Sequence, residues 1–98
     1  MQIKIHESYR KIVALADSEI IGMKFEEGNR QIEIKPNFFK GEEKTKEEVI
    51  GILKDMVKED ATFNIVGKES IETALEAGII DKEGVIIIDD IPVALMLM

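Results

Sequence analysis

A chain of 98 residues with a net charge of −7 and 45% apolar side chains reads as one packed globular domain rather than a disordered segment. It contains no cysteine, which excludes disulfide staples, thiolate metal sites, thiol redox chemistry and cysteine nucleophiles together and favours an intracellular protein. No apolar stretch reaches the ~20 residues of a membrane span, and the N-terminus has no signal-peptide pattern, so a soluble cytoplasmic protein is expected.

The charge is unevenly placed. Residues 1–49 carry 9 basic and 10 acidic side chains, and residues 50–98 carry 4 and 10. The second half should repel a phosphate backbone; only the first half, with Arg10, Lys11, Lys24, Arg30, Lys35, Lys40, Lys44 and Lys46, has the cations for a basic patch. Nucleic-acid binding is therefore disfavoured.

Gln2–Glu7 alternates polar and apolar side chains, the pattern of a half-buried strand, and Lys11–Ala16 resumes as a second strand, so the two form a hairpin. Asp17-Ser18-Glu19 then starts one helical turn, with Asp17 as its cap and Gly22 as its exit. Glu27-Gly28-Asn29 is a turn signal, and Gln31–Lys35 a third strand ended by Pro36. The segment 36–44 reads as a loop. Thr45-Lys46-Glu47-Glu48 is a capping box, and Val49, Ile52, Leu53, Met56 and Val57 continue it as an apolar stripe, which predicts a helix over 46–58.

Residues 60–67 suit either a short strand or the start of the next helix with Asn64 as cap. The helical reading is preferred, because Ile71, Ala74 and Leu75 extend a helical stripe that ends at Gly78. Val85–Ile88 and Val93–Leu97, joined by Asp89–Pro92, read as paired strands covered on both faces. Strands and helices segregate along the chain, which predicts an α+β fold: a two-layer sandwich of a mainly antiparallel sheet with two or three helices.

Several landmarks occur in a fixed order: Asp17-x-Glu19-x-Ile21-Gly22, Phe25-x-Glu27-Gly28, Phe38-Phe39-x-Gly41-Glu42, Ala61-x-x-Asn64-Ile65-Val66-Gly67, Ala77-Gly78-x-Ile80-Asp81 and Pro92-x-Ala94. Together they resemble the small archaeal proteins grouped as domain-of-unknown-function family 424, over nearly the whole chain. The resemblance implies a fold and a source group, not an activity. The family's last landmark usually runs Gly-x-Pro-His-Ala, whereas this chain has Asp90-Ile91-Pro92-Val93-Ala94. With that glycine and histidine absent, the resemblance supplies no catalytic group there.

Candidate sites are few. Asn64 at a helix start, followed by Gly67 and Lys68, would leave free amides and a positive dipole end able to hold a small anionic ligand, although capping alone accounts equally well for Asn64. Gly67-Lys68 is not a phosphate loop, since positions 62 and 69 are Thr and Glu. Asp17 and Glu19 follow a strand end and could bind a cation or shuttle a proton, but capping by Asp17 is the cheaper reading. Asp89-Asp90 lacks the ligand spacing of a calcium loop, and no metal or cofactor motif is present. Phe38 and Phe39, with Gly41 in the same loop, are partner-binding candidates, one ring expected inside and one outside. His6, the sole histidine, is read as an edge-strand residue near solvent.

The run Val93–Met98 has no polar residue. A two-layer fold leaves one sheet face bare, which makes a homodimer through that face one alternative; the other is that helices cover one side of the sheet and loops the other. By elimination the chain reads as a non-catalytic cytosolic binding module for an unknown protein or small anionic ligand. The rivals are a small enzyme using Asp17, Glu19 and Asn64, and an RNA- or translation-associated protein using the basic first half with Phe38 or Phe39.

Overall fold

The computed structural model describes residues 1–96. The N-terminal hairpin pairs β1 (Gln2–His6) with β2 (Ile12–Ala16). A 3-10 turn at Ser18–Ile20 leads to a second hairpin, β3 (Lys24–Glu27) and β4 (Arg30–Glu33). Next come a short helix α1 (Pro36–Phe39), the two-residue strand β5 (Glu42–Glu43) and the helix α2 (Lys46–Lys58). The chain continues through β6 (Thr62–Val66), α3 (Lys68–Glu76), a 3-10 turn at Lys82–Gly84, β7 (Ile86–Ile88) and β8 (Ile91–Met96). The part of the expected last strand at Leu97 lies outside the described residues.

The fold is α+β. Six strands form one sheet in the order β5-β1-β2-β6-β8-β7, and β3-β4 stands apart as a two-stranded sheet. The β2–β6 contact is parallel and the other pairings are antiparallel. None of the helices is long and apolar enough to cross a membrane, among the described residues.

Side-chain alternation divides the core between the two faces of the sheet. Val13, Leu15, Phe63 and Ile65 point to the face where α2 and α3 deliver Val49, Leu53, Ile71 and Ala74. Ala14, Ala16, Val66 and Val93 point to the opposite face, where they meet Ile34, Phe39 and Ile20. The second face is therefore not bare as expected: the β3–β4 hairpin and α1 form a partial third layer on it. The small side chains of Ala14 and Ala16, both fully buried, leave room for that layer.

The helix at 46–58 has the predicted bounds and the predicted capping box. The Glu48 amide donates to Thr45 Oγ1 at 3.3 Å, and the Thr45 amide donates to Glu48 Oε1 at 3.0 Å. Three expectations are corrected. Thr62–Val66 is a strand and α3 starts only at Lys68, so Asn64 caps no helix. The alternation of Phe63 and Ile65 with Asn64 and Val66 across two buried faces outweighs the helical stripe downstream. Lys24–Glu27 is a strand missed among charged residues, and the predicted loop 36–44 contains α1 and β5.

Candidate functional site

The parallel pair β2–β6 ends where Asp17 and Gly67 follow it. Asp17 does not cap the 3-10 turn beside it. Its carboxylate reaches across the sheet to the start of α3 instead: the Glu69 amide donates to Oδ2 at 3.1 Å, and the Ser70 amide and hydroxyl donate to Oδ1 at 2.8 and 2.7 Å. Asp17 is 5% exposed and Ser70 fully buried. The carboxylate satisfies amides left without partners at a helix start and sits at the positive end of the dipole.

Gly67 makes this approach possible. Its φ is 110°, and a Cβ there would lie 2.6 Å from both Asp17 carboxylate oxygens. The place an anionic ligand would take at this helix terminus is thus filled by the protein's own Asp17. Lys68 is exposed on the first turn of α3, and Glu19 is exposed beside Asp17 without joining its bonds. Asn64 is half-buried in mid-strand, between Ala14 and Leu95. The structure brings together Asp17 and Gly67 but neither Glu19 nor Asn64 with them. Among the described residues, no group of three His, Cys, Asp or Glu side chains is placed to hold a metal ion.

The aromatic pair divides less sharply than expected, since Phe38 is packed against the core rather than left outside. Phe39 is 5% exposed, and Phe38 is half-buried, stacked on His6 with ring centroids 4.6 Å apart. His6 Nε2 donates to the Phe38 carbonyl at 2.8 Å, so the sole histidine anchors α1 to β1. Gly41 also serves packing: a Cβ there would lie 2.9 Å from the Ile3 carbonyl carbon, so only glycine lets β5 lie this close to β1.

Sequence reasoning missed the strongest surface feature. β7 was expected to be covered on both faces, yet Ile86 is 43% and Ile87 49% exposed. Nearby, Leu95 of β8 shares the face of Ile86 and is 65% exposed. β7 is an edge strand, and its register shows where its backbone points. The Pro92 carbonyl accepts from the Gly67 amide on the β6 side, so the Ile87–Pro92 pair exchanges no hydrogen bond, and the Ile87 N–H and C=O face away from β8. At the next outward position, the Asp89 amide is taken by Glu27 Oε1 at 2.6 Å. Past the start of β7, a hollow of about 500 Å³ opens between Asp81, Glu83 and Gly84 on one side and Ala94, Leu95 and Met96 on the other.

The two edges of the sheet differ. β5 is two residues long and carries Glu42 and Glu43, the charged, short form that discourages strand addition. β7 is three isoleucines with no charge and no proline. A triplet Ile86-Ile87-Ile88 closed at once by the Asp89-Asp90 turn was the only signal in the sequence; that it lies at an edge depends on the strand order.

What these features define is an α+β protein with a plugged helix terminus and an apolar edge strand whose Ile87 backbone groups point outward, the flanking Val85 and Asp89 amides being taken by Lys82 and Glu27. A family model described as a protein of unknown function, DUF424, matches residues 5–98; the chain belongs to this family. No curated protein matches it. Among solved structures it is similar to an uncharacterized conserved protein from Methanopyrus kandleri, with 18% identity and a TM-score of 0.86 over 97% of this chain and 88% of that one.

Proposed function

We propose that the protein is a binding module that takes up an extended segment of a partner along β7. The carrying observation is the uncharged edge strand β7, with Ile86 and Ile87 about half exposed and the Ile87 N–H and C=O directed outward. An added strand would gain main-chain hydrogen bonds there, and its alternate side chains would cover Ile86 and Ile87 on opposite faces. The groups from which an enzyme would be built favour this reading too: Asp17, Gly67 and His6 are spent on packing and capping.

Selection from a library of random peptides about 12 residues long, enough for one strand of ordinary length, tests it. Peptides rich in β-branched and aromatic residues should be enriched on the wild-type protein and lost on an Ile87→Lys variant that keeps its circular dichroism. Enriched peptides that bind the variant equally well would place the binding surface elsewhere.

A further inference from the structure

We infer that the segment received at β7 is basic at both ends of an apolar centre and comes from a different protein, not a second copy of this chain; this rests on the edge-binding reading above. Carboxylates stand at both ends of the edge. Asp81 and Glu83 flank its start, and Asp89 and Asp90 its end, all four exposed and none in an ion pair among the described residues. Lys82 is the one cation within these two flanks. The hairpin beside the end of β7 adds Glu27, with Arg30 across from it.

A second copy fits this pattern poorly. Antiparallel pairing of two β7 strands about Ile87 sets Asp89 against Val85 of the other copy and carries Asp90 toward its Glu83. Each end of the joint strand would then gather four carboxylates against one lysine, and like charges brought together in an interface are costly. A strand with lysine or arginine before and after its apolar centre would meet opposite charge at both ends and none between. The main-chain bonds would hold the strand in the edge, and the terminal charges would select which strands enter.

The probes are two synthetic peptides with the same alternating valine–threonine centre, one flanked by lysines and one by glutamates, followed by fluorescence anisotropy. The lysine-flanked peptide should bind the wild-type protein at least about tenfold more tightly, and added salt should shrink the preference. A variant combining Glu83→Gln, Asp89→Asn and Asp90→Asn should lose most of the preference. Ile87→Lys should abolish binding of both peptides, as should Ile87→Pro, which removes the outward N–H together with the isoleucine side chain and fixes φ. Equal affinity for the two peptides would overturn the charge inference and leave the edge reading standing. A dimer seen by sedimentation and dissolved by Ile87→Lys would assign the edge to a second copy, again overturning only the inference. A monomer that binds neither peptide would overturn both.

Discussion

Asp17 and Gly67 are shaped to each other: the carboxylate occupies the volume that a side chain at position 67 would need. Because Gly67 has no Cβ, Asp17 can reach the first turn of α3 from a strand end 53 residues away from Ser70 in sequence. A feature that reads as a ligand-binding helix terminus is thereby turned into an internal tie between the two halves of the chain.

Asp17→Ala should destabilise the protein by about 2–4 kcal/mol, because a cap is lost and buried donors at Ser70 are left unpaired. Gly67→Ala should cost a similar amount through the clash and the unfavourable φ. The two effects should not add: with Asp17 removed, the methyl group at position 67 has space, and the second change costs less. A double-mutant cycle in chemical denaturation measures this coupling, and additive losses would contradict the described fit.

Acid should weaken the fold partly through Glu43 and Glu48. The N-terminal ammonium at 2.5 Å and then the Ser18 hydroxyl hold the Glu43 carboxyl below its ordinary value. The Thr45 backbone amide and then its hydroxyl do the same for Glu48. Groups lowered on folding contribute stability that is fully present above the ordinary carboxylate range and is lost as pH falls through the folded value. Denaturation midpoints followed from about pH 6 to about pH 3 should fall less steeply for Glu43→Gln than for the wild type.

The β7–β8 turn offers a stabilising change. Asp89 and Asp90 have φ of 51° and 66°, the left-handed conformation required at both central positions of a tight hairpin turn, which Asn-Gly fills best. Asp90→Gly should raise stability by about 0.5–1 kcal/mol, the relief of a left-handed side chain exceeding the added freedom of the unfolded chain. Thermal denaturation checks the sign.

Gly41→Ala should separate β5 from β1, because the added methyl meets the Ile3 backbone rather than a movable side chain. A loss of about 1–3 kcal/mol is expected, with faster amide exchange at Ile3 and Glu42, the pair whose amides face each other across β1 and β5. Unchanged exchange there would rule out the backbone-spacing role given to Gly41.

The sequence was most legible where the determinants are local. Thr45 and Glu48 lie three residues apart and define both the start of α2 and its bonding, and the Gln2–His6 alternation needs no information from elsewhere. Thr62–Val66 was harder, because which neighbours cover each face decides between strand and helix, and these are β2 and β8, distant in the chain. Lys24-Phe25-Glu26-Glu27 has one apolar side chain, too few to reveal a strand whose other face is solvent. The function of Asp17 and the exposure of Ile87 depend on strand order, which residue spacing does not encode. The landmarks of the family did carry the fold, since their order spans the elements that build both faces of the sheet.

The tie between Asp17 and α3 has a consequence for how the molecule assembles. A nine-residue helix is too short to persist alone in water, and this one takes its terminal acceptor from a strand that must first dock in parallel beside β6. Closing so long a loop is slow compared with local helix growth, so α3 should gain its structure together with the joining of the N-terminal hairpin to the rest of the chain. The nucleation step would then be that long-range closure, and folding rates should respond to Asp17→Asn as strongly as equilibrium stability does.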